Sequence, residues 1–155
     1  MRESIGGTWL FNIVIFFVIL FTGYMCLSIN HTKAFNVKDD IVKTIERDGG
    51  FSDLSHADEN NNTIVSIVRT LQDIGYRSAS KCPDANGGQV WFGFRRDGKR
   101  TNGDDAAFCI REVDSGAQNP KRVYYQVVVF YQLDLPIFNQ LFRFNIKGDT
   151  KLLYL

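Results

Sequence analysis

The sequence predicts an α+β protein: a long N-terminal helix that begins in a membrane, a second short helix, and a C-terminal antiparallel sheet of about four to five strands. Three observations predict it. No charged side chain occurs between Ile5 and Asn30, and over residues 9–29 only Asn12, Thr22, Gly23 and Ser28 interrupt an apolar run. Ala34, Val37, Ile41 and Ile45 then recur at three- and four-residue intervals, the period of a helix with one covered face. From Val90 onward the chain reads as strand: 90–95 and 142–147 alternate with the period of a strand, and 123–133 is a long apolar segment between them.

The apolar run rises about 31 Å at about 1.5 Å per residue, matching the hydrocarbon core of a bilayer. Trp9 and Tyr24 stand towards its ends, where aromatic rings favour the headgroup boundary. A cleaved signal peptide would have a shorter apolar core followed by small residues, whereas this run ends in Tyr24, Met25, Cys26 and Leu27. An uncleaved helix is therefore expected, with residues 1–8 as a short leader or cytoplasmic tip, 9–29 as the transmembrane helix and 30–155 as one extracytoplasmic domain.

Two signals for orientation disagree. Arg2 precedes the span while Lys33, Lys38, Lys43 and Arg47 follow it, a distribution that by the positive-inside rule puts the domain in the cytoplasm. Cys82 and Cys109 argue the other way if they are bonded, since a bridge worth about 3–4 kcal/mol persists only in an oxidising compartment. Two separate buried thiols are the alternative. Neither Cys has a zinc-ligand spacing.

The helix is expected to continue through the amphipathic stretch to Asp48-Gly49-Gly50, with a break conceivable at Ser28-Ile29-Asn30 because Ser and Asn bond their own backbone. A polar loop over 51–62 leads to the second helix. Asn62 or Thr63 caps it, Ile64, Val68, Leu71 and Ile74 or Val65 form its apolar face, and Gly75 ends it. Val90, Phe92 and Phe94 alternate with Trp91, Gly93 and Arg95. Asp97-Gly98 is a turn leading through 99–105 to a strand over 107–113. Residues 123–133, apolar on both faces apart from Gln126 and Gln132, read as a central strand covered by a helix, and Leu135-Pro136 bends the chain after it. Phe142, Phe144 and Ile146 alternate with polar residues before Gly148-Asp149, a two-residue hairpin loop that would place Phe144 opposite Leu153 and Phe142 opposite Leu155.

Composition narrows the function. The 155 residues hold 18 Lys+Arg against 17 Asp+Glu, so the net charge of +1 leaves no basic excess for phosphates and no nucleic-acid partner is expected. Thirteen Phe and six Tyr supply more apolar surface than a disordered chain carries. No second stretch approaches the ~20 apolar residues of another span, which excludes a multi-pass transporter.

A short polar leader, an apolar helix starting near the amino terminus, its amphipathic continuation and a C-terminal sheet together resemble type IV pilin-like proteins. Among these the chain looks most like the TadE-type minor pseudopilins of tight-adherence pilus systems, which share the extended helix and a final hairpin of the form read at 123–155. The resemblance implies a non-enzymatic, membrane-anchored subunit assembling with other pilin-like subunits and an assembly platform through its N-terminal helix. It implies no cofactor. Gly6-Gly7 before Thr8 resembles a prepilin-peptidase junction, and the two glycines read equally as helix-packing residues. Cleavage after Gly7 would make Asn12 the fifth residue, where many pilins carry a Glu pairing with a neighbour's amino terminus. In an unprocessed chain Glu3 would take that part.

Asn12 is also the polar exception in the span, suited to an interhelical hydrogen bond or to a local one. His31 and His56 read as solvated side chains, for no nucleophile stands at a motif spacing. Asp97, Asn102, Asp104 and Asp105 form an oxygen-rich stretch that raises calcium weakly, against the spacing and against Lys99 and Arg100. Trp91, Phe92 and Phe94 suit strand packing better than a ligand platform. The alternative function is a single-pass membrane protein presenting a small extracytoplasmic binding or sensing domain.

Overall fold

The computed structural model describes residues 2–84, 90–118, 121–132 and 143–154, with side chains described from residue 7 onward in the first helix. Helix α1 (Arg2–Arg47) is uninterrupted over 46 residues, so Ser28 and Asn30 do not break it. The Thr32 hydroxyl instead donates back to Ser28 O at 2.9 Å, a bond that the helix itself supplies. Asp48 N–H still reaches Thr44 O, and Gly50, at φ 92°, closes the end by donating to Ile45 O at 2.9 Å. Gly50 has a second duty, because a Cβ there would stand 2.8 Å from Tyr125 Cε2.

After a 3₁₀ turn at Leu54–His56 the chain forms α2 (Asn62–Ile74). Its N-cap is Asn61, one residue earlier than the sequence pattern indicated, with Oδ1 accepting from Thr63 N and Ile64 N. Gly75 ends it in the left-handed conformation. Ile64, Ile67 and Leu71 are its buried residues with Thr63. Val65 faces outward, so the apolar stripe lies one step round from the one that includes it.

The strands are β1 (Phe92–Phe94), β2 (Arg100–Thr101), β3 (Phe108–Gln118), β4 (Lys121–Gln132), β5 (Arg143–Asp149) and β6 (Leu153–Tyr154). They form one antiparallel sheet in the order β2-β1-β3-β4-β5, with β6 also on β4. β3 is longer than the expected 107–113, running past a register irregularity between Asp114 and Gln118. The stretch after Asp97-Gly98 contributes the short β2, which the sequence pattern did not separate from loop.

The expected hairpin at Gly148-Asp149 is not formed. β5 continues through both residues, with Val127 opposite Gly148 and Gln126 opposite Asp149, and β6 then follows along the same strand, β4, with Val123 opposite Leu153. Thr150 joins the two segments by donating its N–H to Tyr125 O and accepting Tyr125 N–H on Oγ1, both at 2.9 Å. Gly148 is glycine for closeness, since an added Cβ would stand 2.6 Å from Lys38 Cδ of α1. Phe144 accordingly lies opposite Tyr131, not Leu153, with the rings stacked at 5.0 Å. The bend at Leu135-Pro136 and the Phe142–Leu155 pairing lie outside the described residues.

α1 and α2 cover one face of the sheet. Val37, Ile41 and Ile45 of α1 and Ile64, Ile67 and Leu71 of α2 pack on Phe94, Phe108, Ile110, Val127 and Val129. Full burial of the three α1 side chains stabilises the fold by about 5–9 kcal/mol, at about 1.5–3 kcal/mol each. The opposite face holds a smaller cluster of Trp91, Ala106, Cys109, Val128 and Phe130, packed with Cys82. That second cluster is why β4 is apolar on both faces. Cys82 and Cys109 are bonded there, and Arg111 lies over the Trp91 ring at 4.6 Å.

Candidate functional site

The candidate site is the first half of α1, because nothing among the described residues covers it. Trp9, Phe11, Phe16, Phe17, Phe21 and Tyr24 are each more than 60% exposed, whereas Ala34, Val37, Ile41 and Ile45 of the same helix are buried. A core helix of a soluble domain would bury its most apolar stretch. In α1 the most apolar window has none of its residues buried, and it is the one helix among the described residues with the length and composition of a span. The helix therefore changes environment near Asn30, from exposed apolar surface to the head's core.

Gly6, Gly7 and Thr8 lie inside the continuous helix, and a Cβ at Gly7 would meet nothing within 4 Å. Glu3 is helical as well. Within the span the Thr22 hydroxyl donates to Val18 O at 2.8 Å, and Asn30 Nδ2 reaches Cys26 Sγ at 3.8 Å. Asn12 is exposed, and its amide has no hydrogen bond among the described residues. At about 100° per residue, Asn12, Gly23 and Asn30 share a direction to within about 20°, and Val37 points the same way. Asn12 and Gly23 therefore lie on the side of α1 that carries the head, whereas Thr22 is turned about 80° and Ser28 about 160° away from Asn12. Sequence reading singled out Asn12 but missed this alignment, which becomes legible only once the helix is known to be unbroken.

Elsewhere polar groups are engaged in local structure. Asp53 caps the 3₁₀ turn by accepting Ser55 N–H at 2.8 Å, and its Oδ2 lies 2.6 Å from His56 Nδ1. The Ser55 hydroxyl and then His56 hold the Asp53 carboxyl down at about 2. Ser55 Oγ approaches the same His56 nitrogen at 3.0 Å. A serine–histidine relay needs the two partners on different ring nitrogens, so this cluster is a cap and not a triad.

In the stretch raised for calcium, Asp97 and Asp105 are engaged as well. Asp105 accepts from the Thr101 hydroxyl and pairs with Arg95; the Thr101 bond, with help from the Arg95 charge, keeps its carboxyl below the usual range. Asp97 accepts Lys99 N–H at 3.0 Å, and no three metal-ligating side chains gather among the described residues. Trp91 is buried on the outer face of the sheet. Tyr76 and Tyr125 carry the two strongly displaced tyrosine equilibria. Burial raises both, Tyr125 to about 12, and both hydroxyls bond backbone, Tyr76 to Phe130 and Tyr125 to Phe51.

These features define an α+β protein whose one candidate span among the described residues fits single-pass membrane anchoring. No protein-family model, curated protein or solved structure matches the chain.

Proposed function

We propose that the protein is a non-enzymatic pilin-like or pseudopilin subunit, stored in the membrane by α1 and assembled through that helix into a pilus or secretion filament. The observation that carries this reading is one uninterrupted helix, uncovered in its first half and built into the head in its second. Leaving lipid would expose about a dozen large apolar side chains, so the helix leaves only when other subunits replace that contact. Asn12 favours such contact, since an interhelical bond in lipid is worth about 0.6–2 kcal/mol. Because Asn12 faces the head side of α1, a partner helix meets it below the head. Two copies at the same height would collide there, whereas copies staggered along the rod would not.

The head is taken to be extracytoplasmic. The Cys82–Cys109 bond supports this side, and protease accessibility tests it against the Lys and Arg count. The experiment for function is N-terminal mass spectrometry of protein purified from membranes containing a prepilin peptidase. A mature chain starting at Thr8 is the expected result, with Asn12 fifth. An intact Met1, with no cross-linked oligomers through the span, would leave the second reading, a single-pass protein presenting a binding or sensing domain. The disulfide-closed outer cluster favours that second reading to the extent that it suits any exported domain.

A further inference from the structure

We infer that the head rests on the bilayer, with Lys33 and Arg77 binding the phosphates of lipid headgroups. The argument needs only that α1 spans the membrane, and it stands apart from filament assembly. The apolar run ends at Ile29, and the edge of the head begins immediately beyond it. The His31 ring meets the Tyr131 ring edge-on at 5.7 Å, and a cleft of about 190 Å³ is lined by Lys33 and Ala34 of α1 together with Arg77, Ser78 and Tyr131 of the head.

Height follows from the helix. Residues 30–34 lie about 1.5–7.5 Å beyond Ile29 at about 1.5 Å per residue. The headgroup layer is about 5–7.5 Å deep on each side of the hydrocarbon core. Head residues packed at the level of 30–34 are therefore at headgroup level. A span tilts by about 20° on average, which moves a group about 10 Å from the helix axis by only about 3.5 Å.

The chemistry suits that level. Lys33 and Arg77 are exposed and take part in no ion pair among the described residues. Nearby Asp97 already accepts the Lys99 N–H. Tyr131 and His31 add rings with polar tips, which favour the interface between water and acyl chains. The occupant that fits is the phosphate of a phospholipid, held by charge-assisted bonds from the guanidinium and ammonium groups.

The test uses the full chain. In vesicles of phosphatidylcholine and phosphatidylglycerol, a nitroxide at Ser78→Cys, in a Cys26→Ala background, should be shielded from an aqueous nickel relaxant. The same label at Ser52→Cys should be open to it, since Ser52 lies beyond Arg47, itself about 27 Å past Ile29. Native mass spectrometry from micelles should show phosphatidylglycerol binding weakened about fivefold per cation in K33Q/R77Q, the factor that ~1 kcal/mol per basic residue gives. K121Q, at the start of β4, should bind as the parent does. A Ser78 label as water-accessible as that at Ser52 would overturn the inference. So would a folded K33Q/R77Q that binds phosphatidylglycerol like the parent.

Discussion

Removing one hydroxyl should open the sheet where β3 begins. Ala107 turns its N–H to Phe94 O at 2.7 Å, and β3 pairs with β4 only from Phe108. The backbone of Phe130, just past that point, is closed by Tyr76 instead: Phe130 N–H donates to the Tyr76 hydroxyl at 2.9 Å, and the hydroxyl donates towards Phe130 O and Ala107 O. Tyr76→Phe keeps the ring and creates no large cavity, but it leaves a buried N–H without an acceptor and two carbonyls without a donor. A buried orphan group costs about 1–3 kcal/mol, so the variant should lose about 2–4 kcal/mol. For a head of this size each kcal/mol lowers Tm by about 3–6 °C, giving a fall of about 6–24 °C. Near-UV circular dichroism of the full chain in detergent follows the loss of head packing without following the membrane helix. A fall of less than about 3 °C would refute the reasoning, because Phe130 would then have found another acceptor at no cost.

Other outcomes follow from single contacts. Gly50→Ala forces a side chain into a positive-φ position and against Tyr125, and should cost about 2–4 kcal/mol by thermal melting, whereas a loss under about 0.5 kcal/mol would contradict the close approach. Cys82→Ser with Cys109→Ser opens a loop of sequence separation 27 and should cost about 3–4 kcal/mol, with slower migration of the parent on reduction in denaturing gels as the companion check. Raising pH above about 10 should destabilise the head, because unfolded tyrosines ionise there while burial keeps Tyr125 protonated up to about 12 and raises Tyr76 as well; Tyr125→Phe should flatten that alkaline decline, and an unchanged slope would count against it. Asn12→Leu should weaken self-association in membranes by about 0.6–2 kcal/mol, read by cross-linking yield, while leaving the head's Tm alone.

What could be read from the sequence was whatever has a local period. The long apolar helix with its amphipathic continuation, α2 and the core of β4 are each written in the spacing of apolar residues; α1 runs through both of its parts, and α2 and β4 form within a residue or two of their expected places. Glycine misled where its reason was distant. Gly148 next to Asp149 has the form of a hairpin loop, yet its small size serves Lys38 on another element, a constraint that no window around 148 contains. The same holds for the site. Asn12 was visible as a polar residue in an apolar run, but Arg77 became a neighbour of Lys33 only when α2 folded back to bring its C-terminal end beside residues 30–34.

The two halves of α1 are coupled by phase as well as by chain continuity. A break at Ser28 would have let the span rotate independently, and the direction of Asn12 would then say nothing about the head. With the helix unbroken, the direction that buries Val37 also fixes the direction in which Asn12 and Gly23 look for a partner. Inserting one residue between Ile29 and Ala34 would turn the span by about 100° relative to the head without changing the composition of either. Such an insertion should leave the head folded and the helix in the membrane, while moving Asn12 out from beneath the head. If cross-linking through the span depends on Asn12 merely being polar, the insertion is silent. If it depends on where Asn12 points, association is lost although every side chain is still present.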